Sequence, residues 1–381
     1  MKEVELLIPA GDVDTFKIAV RYGANAIYIG GEAFSLRAKA KNFTIDEMKE
    51  CVALAHKNNI KVYITANIYA HNDDIEDAKK YFEELNDVGP DAVLITDVGL
   101  INIAKAIFKN IDIHLSTQAN TTNYETVKVF RDMGVKRVVL ARELSLEEIK
   151  KIKEEVKDSI EIETFVHGAM CISYSGRCLL SAFMTGRSAN NGECTHPCRW
   201  KYMLLEEEER KGEYMPILET ERGTYIFNSK DLNMIEYIDK LIEAGIDSLK
   251  IEGRMKTALY IATVARTYRK AIDDYKKGVE IYKKNIPLYK KEIEKCTYRE
   301  YTTGFYFGKP DENTQIYDNS TYVVGAIYYG TVQSVDDEFA YFEQKNKFSV
   351  GDTLEVMKPD FSNIKVKVIS KRECFHICLA V

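Results

Sequence analysis

The feature that most restricts the fold is a regular alternation, over the first 260 residues, of short β-branched runs with amphipathic helical segments. The runs are "ELLIP" (5–9), "AIYIG" (26–30), "KVYITAN" (61–67), "AVLITD" (92–97), "DIHLSTQ" (112–118), "RVVLAR" (137–142), "IEIETFVHG" (160–168) and "SLKIEGR" (248–254). Segments between them carry helix signals. In "TIDEMKECVALAHKNN", Thr44 takes the N-cap position and Glu47, three residues on, completes a capping box. Strands alternating with helices at this spacing predict a parallel sheet covered by helices, and eight strands predict an α/β fold closed as a TIM-type (β/α)8 barrel. The open dinucleotide-binding alternative needs a G-x-G-x-x-G after the first strand, where "PAGDVDTF" offers one glycine.

About 80 residues separate the seventh run from the eighth, far more than one crossover helix needs. The reading is a barrel over 1–260 with an insertion at 169–228. In that insertion "RWKYMLLEEEE", "EYMPILETE" and "GTYIFNS" read as a small antiparallel meander, and "DLNMIEYIDKLIEAG" as a helix returning to the eighth strand. A helical connector (261–319) follows, in which Tyr268, Tyr275, Tyr282 and Tyr289 recur every seven residues, each followed four later by Ile272, Val279, Ile286 or Ile293. That spacing puts tyrosines and aliphatics on one helix face. Gly278 and Pro287 argue against one uninterrupted helix. Residues 320–381, short alternating strands with Gly and Asp turns, read as a small β-barrel domain.

Four of the eight cysteines fall within 28 of the 381 residues: Cys171, Cys178, Cys194 and Cys198, spaced C-x6-C-x15-C-x3-C. Even scatter would put about 0.6 there. "MKEVELLIPAGDVDTF" shows no secretory signal, and the longest apolar stretch is interrupted by Asp97 and Lys105, so a cytoplasmic chain with no membrane span is expected. Structural disulfides are rare in that compartment, which leaves metal binding or redox chemistry. Gaps of six and fifteen residues suit an iron–sulfur cluster better than paired zinc knuckles, although zinc and plain reduced thiols stay open on spacing alone. A net charge of −6 excludes a globally basic nucleic-acid binder but not a local basic patch.

"ELLIPAGDVDTFKIAVRYGANAIYIGG", "ETFVHGAMCISYSGRC" and "LKIEGRMKTALYIATVARTYRKAID" resemble the collagenase-like peptidases, family thirty-two among peptidases of unknown catalytic type. "GECTHPCRWKY" and "TTGFYFGKP" are most similar to its tRNA-hydroxylation branch, the P type. The resemblance spans roughly residues 3–370. It implies an iron–sulfur enzyme that converts the wobble uridine of tRNA to 5-hydroxyuridine, with prephenate as oxygen donor. It also implies that Cys171, Cys178, Cys194 and Cys198 ligate a 4Fe–4S cluster. Some related branches take the fourth ligand from further downstream; here no cysteine lies between Cys198 and Cys296, so Cys198 fills that place. The ending "KRECFHICLAV" departs from the family pattern.

His167, Glu163 and Arg142 are the candidates for catalytic roles. His167 precedes Gly168 at the barrel rim, where it could move a proton, contact substrate or orient the Cys171 loop by a hydrogen bond. Glu163, two pleats earlier, should point into the barrel, as catalyst or as partner of a basic residue. Arg142, Arg37 and Arg254, in loops or strand ends at the rim, suit the two carboxylates of prephenate. Their other reading is ion pairing between rim loops, such as Arg254 with Glu252. Gln118 could bind a nucleobase edge or satisfy buried backbone. Lysine pairs at 276–277, 283–284 and 290–291, with Arg187, Arg199 and Lys201, could meet phosphate, whereas "EEEE" at 206–209 should face away. Cys51, Cys296, Cys374 and Cys378 read as packing. Against hydroxylation stand two other functions: a peptidase, for which neither H-E-x-x-H nor G-x-S-x-G is present, and a zinc-stapled RNA-binding scaffold.

Overall fold

The computed structural model describes residues 3–35, 42–171, 173–175, 177–187, 194–195, 197–199, 219–220, 223–224, 229–308, 322–336, 340–372 and 376–380. Strands and helices alternate: β1 (Glu5–Pro9), α1 (Val13–Arg21), β2 (Ala26–Gly30), α2 (Ile45–Lys57), β3 (Lys61–Ala66), α3 (Ile75–Val88), β4 (Ala92–Ile95), α4 (Val98–Ile107), β5 (Asp112–Leu115), α5 (Tyr124–Asp132), β6 (Arg137–Val139), α6 (Leu146–Val156) and β7 (Glu161–Gly168). Then come α7 (Leu180–Thr185), a hairpin of β8 (Glu219–Thr220) and β9 (Gly223–Thr224), β10 (Asp231–Asn233), α8 (Ile238–Glu243) and β11 (Ser248–Ile251). The strands β1 to β7 pair in parallel, in order, and β11 closes the ring between β7 and β1 through Ser248↔Glu163 and Glu5↔Ser248. The predicted barrel is thus present and closed. Its helices form for the expected reasons: Thr44 Oγ1 accepts from Glu47 N (3.3 Å) and Glu47 Oε2 from Thr44 N (2.9 Å), the capping box that starts α2.

Three barrel strands stop three residues short of the predicted ends. After Leu115 the chain turns into a 3₁₀ turn, Thr117–Ala119, capped by Ser116. β6 ends at Val139 and β11 at Ile251. The residues released, Gln118, Arg142 and Arg254 among them, become the C-terminal rim, where barrel enzymes place their chemistry.

β7 runs beyond its last β6 pairing, Val139↔Glu163, and leaves an open edge. β10 takes the end of that edge in antiparallel sense, Asn233↔His167 and Leu232↔Gly168. The expectation of a helix from Asp231 is therefore corrected: Asp231–Asn233 is strand, and α8 starts at Ile238. Of the predicted meander, only the β8–β9 pair lies within the described residues.

The connector breaks where expected, at Gly278 (φ 153°), into α9 (Ala258–Lys277) and α10 (Val279–Ile293), which carries Pro287 inside it. Its heptad tyrosines face inward. The hydroxyls of Tyr268 and Tyr282 donate to Val166 O and Ile235 O, both at 2.9 Å, which ties the connector to the end of β7 and to the turn before α8. Then follow β12 (Thr297–Tyr298), β13 (Tyr301–Thr302) alongside β10, and β14 (Val323–Val324) paired with β12. The remaining strands are β15 (Gly330–Val335), β16 (Ala340–Gln344), β17 (Thr353–Val356), β18 (Ile364–Arg372) and β19 (His376–Ala380). They form an antiparallel sheet in the order β15-β16-β19-β18-β17, over a small core of Phe348, Leu354, Val366 and Val368. Among the described residues no pairing joins β15 to β17. No described helix is long and apolar enough to cross a membrane.

Candidate functional site

The cysteine segment leaves the barrel at Gly168, whose φ of 111° and close neighbour leave no room for a side chain. A Cβ there would meet Glu252 O at 2.7 Å. Beyond it, Cys171 and Cys194 are exposed, Cys178 and Cys198 half-buried, and all four are thiols rather than disulfides. The segment is fastened at several points. Arg142 Nη1 donates to Ala169 O (3.0 Å), and Asn120 Nδ2 to Ser175 O (2.7 Å). Past Cys178, Ser181 Oγ accepts from Thr195 N (3.1 Å) and lies 3.0 Å from Thr195 Oγ1, so the residue after Cys194 is held against α7.

Among the described residues, no three His, Cys, Asp or Glu side chains gather around a single-ion position. A zinc staple draws its ligands into one coordination sphere. Four cysteine thiols in the segment beyond β7, none of them fully buried, are the donor type that a four-iron cluster takes.

The rim arginines serve the loops. Arg142 lies over the Phe165 ring at 3.9 Å, with Nη2 3.6 Å from Glu252 Oε2. Arg254 donates to Ser35 Oγ (2.7 Å) and Asn42 Oδ1 (2.9 Å), and so holds both ends of the loop that carries Arg37. Arg37 itself lies outside the described residues. Glu252, which the sequence offered as a partner for Arg254, pairs with Arg142. Gln118 sits in the 3₁₀ turn; its carbonyl accepts from Tyr69 Oη and Asn120 Nδ2, and its Oε1 is buried with no hydrogen-bond partner among the described residues.

Glu163 points into the barrel as expected, and there it is fully engaged. Oε1 lies 2.8 Å from Lys250 Nζ and Oε2 3.0 Å from Arg137 Nη1, which also meets Glu5. Lys250, held over the Tyr28 ring at 4.5 Å, has its pKa lowered by burial against the pull of Glu163. This is a buried charge network, not an open carboxylate.

His167 needs a correction. Strict alternation puts it on the face of Glu163, but the β7–β11 register slips between Lys250 and Ile251, so Val166 is an extra residue on β7. His167 is thereby turned outward, into a cage of Tyr260, Tyr268 and Tyr301 rings at 5.9, 5.5 and 5.6 Å. It is 1% exposed, and burial pushes its pKa down to about 3, against the Asn233 hydrogen bond. The residue is neutral and enclosed rather than open to the rim.

On the connector, Lys276, Lys277 and Lys290 pair with Glu3, Asp274 and Glu236. Lys201, the Arg199 side chain, residues 206–209 and Cys374 lie outside the described residues. Asn120 and Thr195, which fasten the cysteine segment, escaped the sequence reading. Asn120 lies two residues past Gln118 in the polar run "STQANTTN", which gives no sign of a partner 55 positions away.

The model of peptidase family U32 matches residues 11–316, and that of its C-terminal domain matches residues 326–372. The chain is 41% identical to tRNA hydroxylation protein P1 of Bacillus subtilis, over 95% of its own length and 85% of the relative's. It is 38% identical to tRNA hydroxylation protein P of Escherichia coli, over 94% and 87%. An uncharacterized protease of Methanocaldococcus jannaschii is 42% identical, over 82% and 75%.

Proposed function

The chain belongs to peptidase family U32, and we propose that within it this protein is a tRNA-hydroxylating enzyme. The reaction is conversion of the wobble uridine to 5-hydroxyuridine, with prephenate as oxygen donor and a 4Fe–4S cluster held by Cys171, Cys178, Cys194 and Cys198. The observation that supports the reading is the set of four thiols in the segment that leaves the C-terminal rim of a closed barrel, in a chain 41% identical to a tRNA hydroxylation protein.

Replacing uracil C5–H by C5–OH moves one oxygen from donor to base and leaves the donor two electrons reduced. When bound, the cluster supplies electron-transferring, Lewis-acidic iron beside the barrel mouth. The chain's own part is to bring base and donor there. A wobble base leaves its stack to enter the mouth, and Gln118, whose Oε1 has no partner among the described residues, is assigned to its edge. Arg37, Arg142 and Arg254 supply the positive potential for the carboxylates of prephenate. Arg142 and Arg254 also hold the two rim loops in place. Glu163 and His167 act as supports from the interior and from the aromatic cage.

Anaerobically purified protein tests this against the alternatives. Iron and sulfide near four of each per chain, with prephenate-dependent 5-hydroxyuridine in added tRNA, is the expected result. Stoichiometric zinc without turnover points to the scaffold. Colourless protein that cleaves denatured collagen points to the peptidase, and either outcome overturns the proposal.

A further inference from the structure

We infer that Asn120 is a positioning residue that fixes the interval between Cys171 and Cys178 on the barrel. Its role toward a cluster rests on the reading above; the tether itself stands on geometry. Asn120 holds the left-handed backbone conformation (φ 53°, ψ 48°) that ends the 3₁₀ turn after β5, a conformation asparagine tolerates better than most residues. From there Nδ2 spends both hydrogens on carbonyls, Gln118 O at 3.0 Å and Ser175 O at 2.7 Å. Gln118 O also accepts from Tyr69 Oη, so one carbonyl joins the loop after β3 to the turn after β5. Ser175 stands between Cys171 and Cys178 in the chain. The cysteine loop is thereby pinned at its middle to β5, while Arg142 pins its start at Ala169 beside β6.

Only a short primary amide does this. Aspartate at the same place would turn oxygen toward two carbonyl oxygens, and a side chain without donors would leave both unserved. A loop already held loses less conformational freedom when its thiolates are drawn onto a cluster, so the tether should set how firmly iron is kept.

The test uses the full chain, stripped of metal by chelator and also as purified. Asn120→Gly keeps the left-handed backbone accessible and removes only the side chain; Asn120→Asp keeps the size and reverses the polarity. Both should raise amide exchange across the Cys171–Cys178 peptide, and iodoacetamide labelling of the two thiols, about threefold or more. Both should shorten iron retention under chelator, with the thermal midpoint little changed. Faster exchange and labelling in a protein that holds no iron would keep the tether and remove the cluster reading. Unchanged exchange and labelling in both variants, in a protein that retains its iron, would remove the tether and leave the cluster reading in place.

Discussion

Glu163 Oε1 lies 2.8 Å from Lys250 Nζ inside the barrel, and both side chains are shut off from solvent. With Arg137 on the other oxygen, the carboxylate links Glu5 and Arg137 to Lys250 in one buried network. Removing one partner from a buried pair strands the other charge, at a typical cost of about 3–5 kcal/mol. Glu163→Gln should therefore lose roughly that much stability in urea unfolding. A variant that unfolds like the parent but loses turnover would instead make Glu163 catalytic.

His167 makes stability depend on acid. Its pKa is about 3 in the fold against an ordinary 6.5, because burial disfavours the charged ring. Below 6.5 the unfolded chain takes up a proton that the folded chain refuses. The contribution is complete above that pH and is lost as pH falls toward 3, at up to about 1.4 kcal/mol per pH unit. His167→Gln should flatten the acid limb of a urea-unfolding series between pH 6 and 4. The same variant should leave no missing step near neutral pH in the rate profile, since the parent ring does not titrate there.

Arg266, on α9, ties the β17–β18 loop of the C-terminal sheet to the connector helices. It is 1% exposed, donates to Lys358 O (2.7 Å) and Asn363 Oδ1 (2.8 Å), and pairs with Glu292. Arg266→Ala should leave Glu292 with Lys295 as its remaining ion partner and loosen the sheet. The expected readout is cleavage by trypsin between residues 294 and 330 at concentrations that spare the parent. An unchanged digest would show that the sheet is held by other contacts.

Cys51 and Cys296 are buried, and burial pushes both thiols up to about 12, so neither is a thiolate at neutral pH. Serine at either position should leave iron content as in the parent. Serine at Cys171, Cys178 or Cys194 should remove most of it, because a hydroxyl is a poor replacement for thiolate. Equal iron in all five variants would contradict the ligand set.

The barrel was legible because its signal is local: each strand and each helix announces itself within about ten residues. What escaped depends on distant chain. β10 exists because β7 outruns β6 and leaves an edge to be filled, a fact about two strands and not about "DLN". His167 turns outward because one residue is inserted opposite β11, which no alternation pattern in β7 alone reveals. The cysteines stood out by spacing, whereas Asn120, which holds their loop, has nothing in its neighbourhood to mark it. Arg142 and Arg254 stand at the rim where their strand-end positions put them, but the pairing of Glu252 with Arg142, 110 positions away, has no local mark in the sequence.

The central claim is that this chain hydroxylates tRNA through its cysteine-bearing rim. It is tested most directly by mass spectrometry of tRNA nucleosides from cells lacking the protein, complemented with the parent or with Cys171→Ser. The expected result is loss of 5-hydroxyuridine derivatives on deletion, return with the parent, and no return with Cys171→Ser at equal protein level. Undiminished 5-hydroxyuridine derivatives in the deletion cells, or full return with Cys171→Ser, would contradict it.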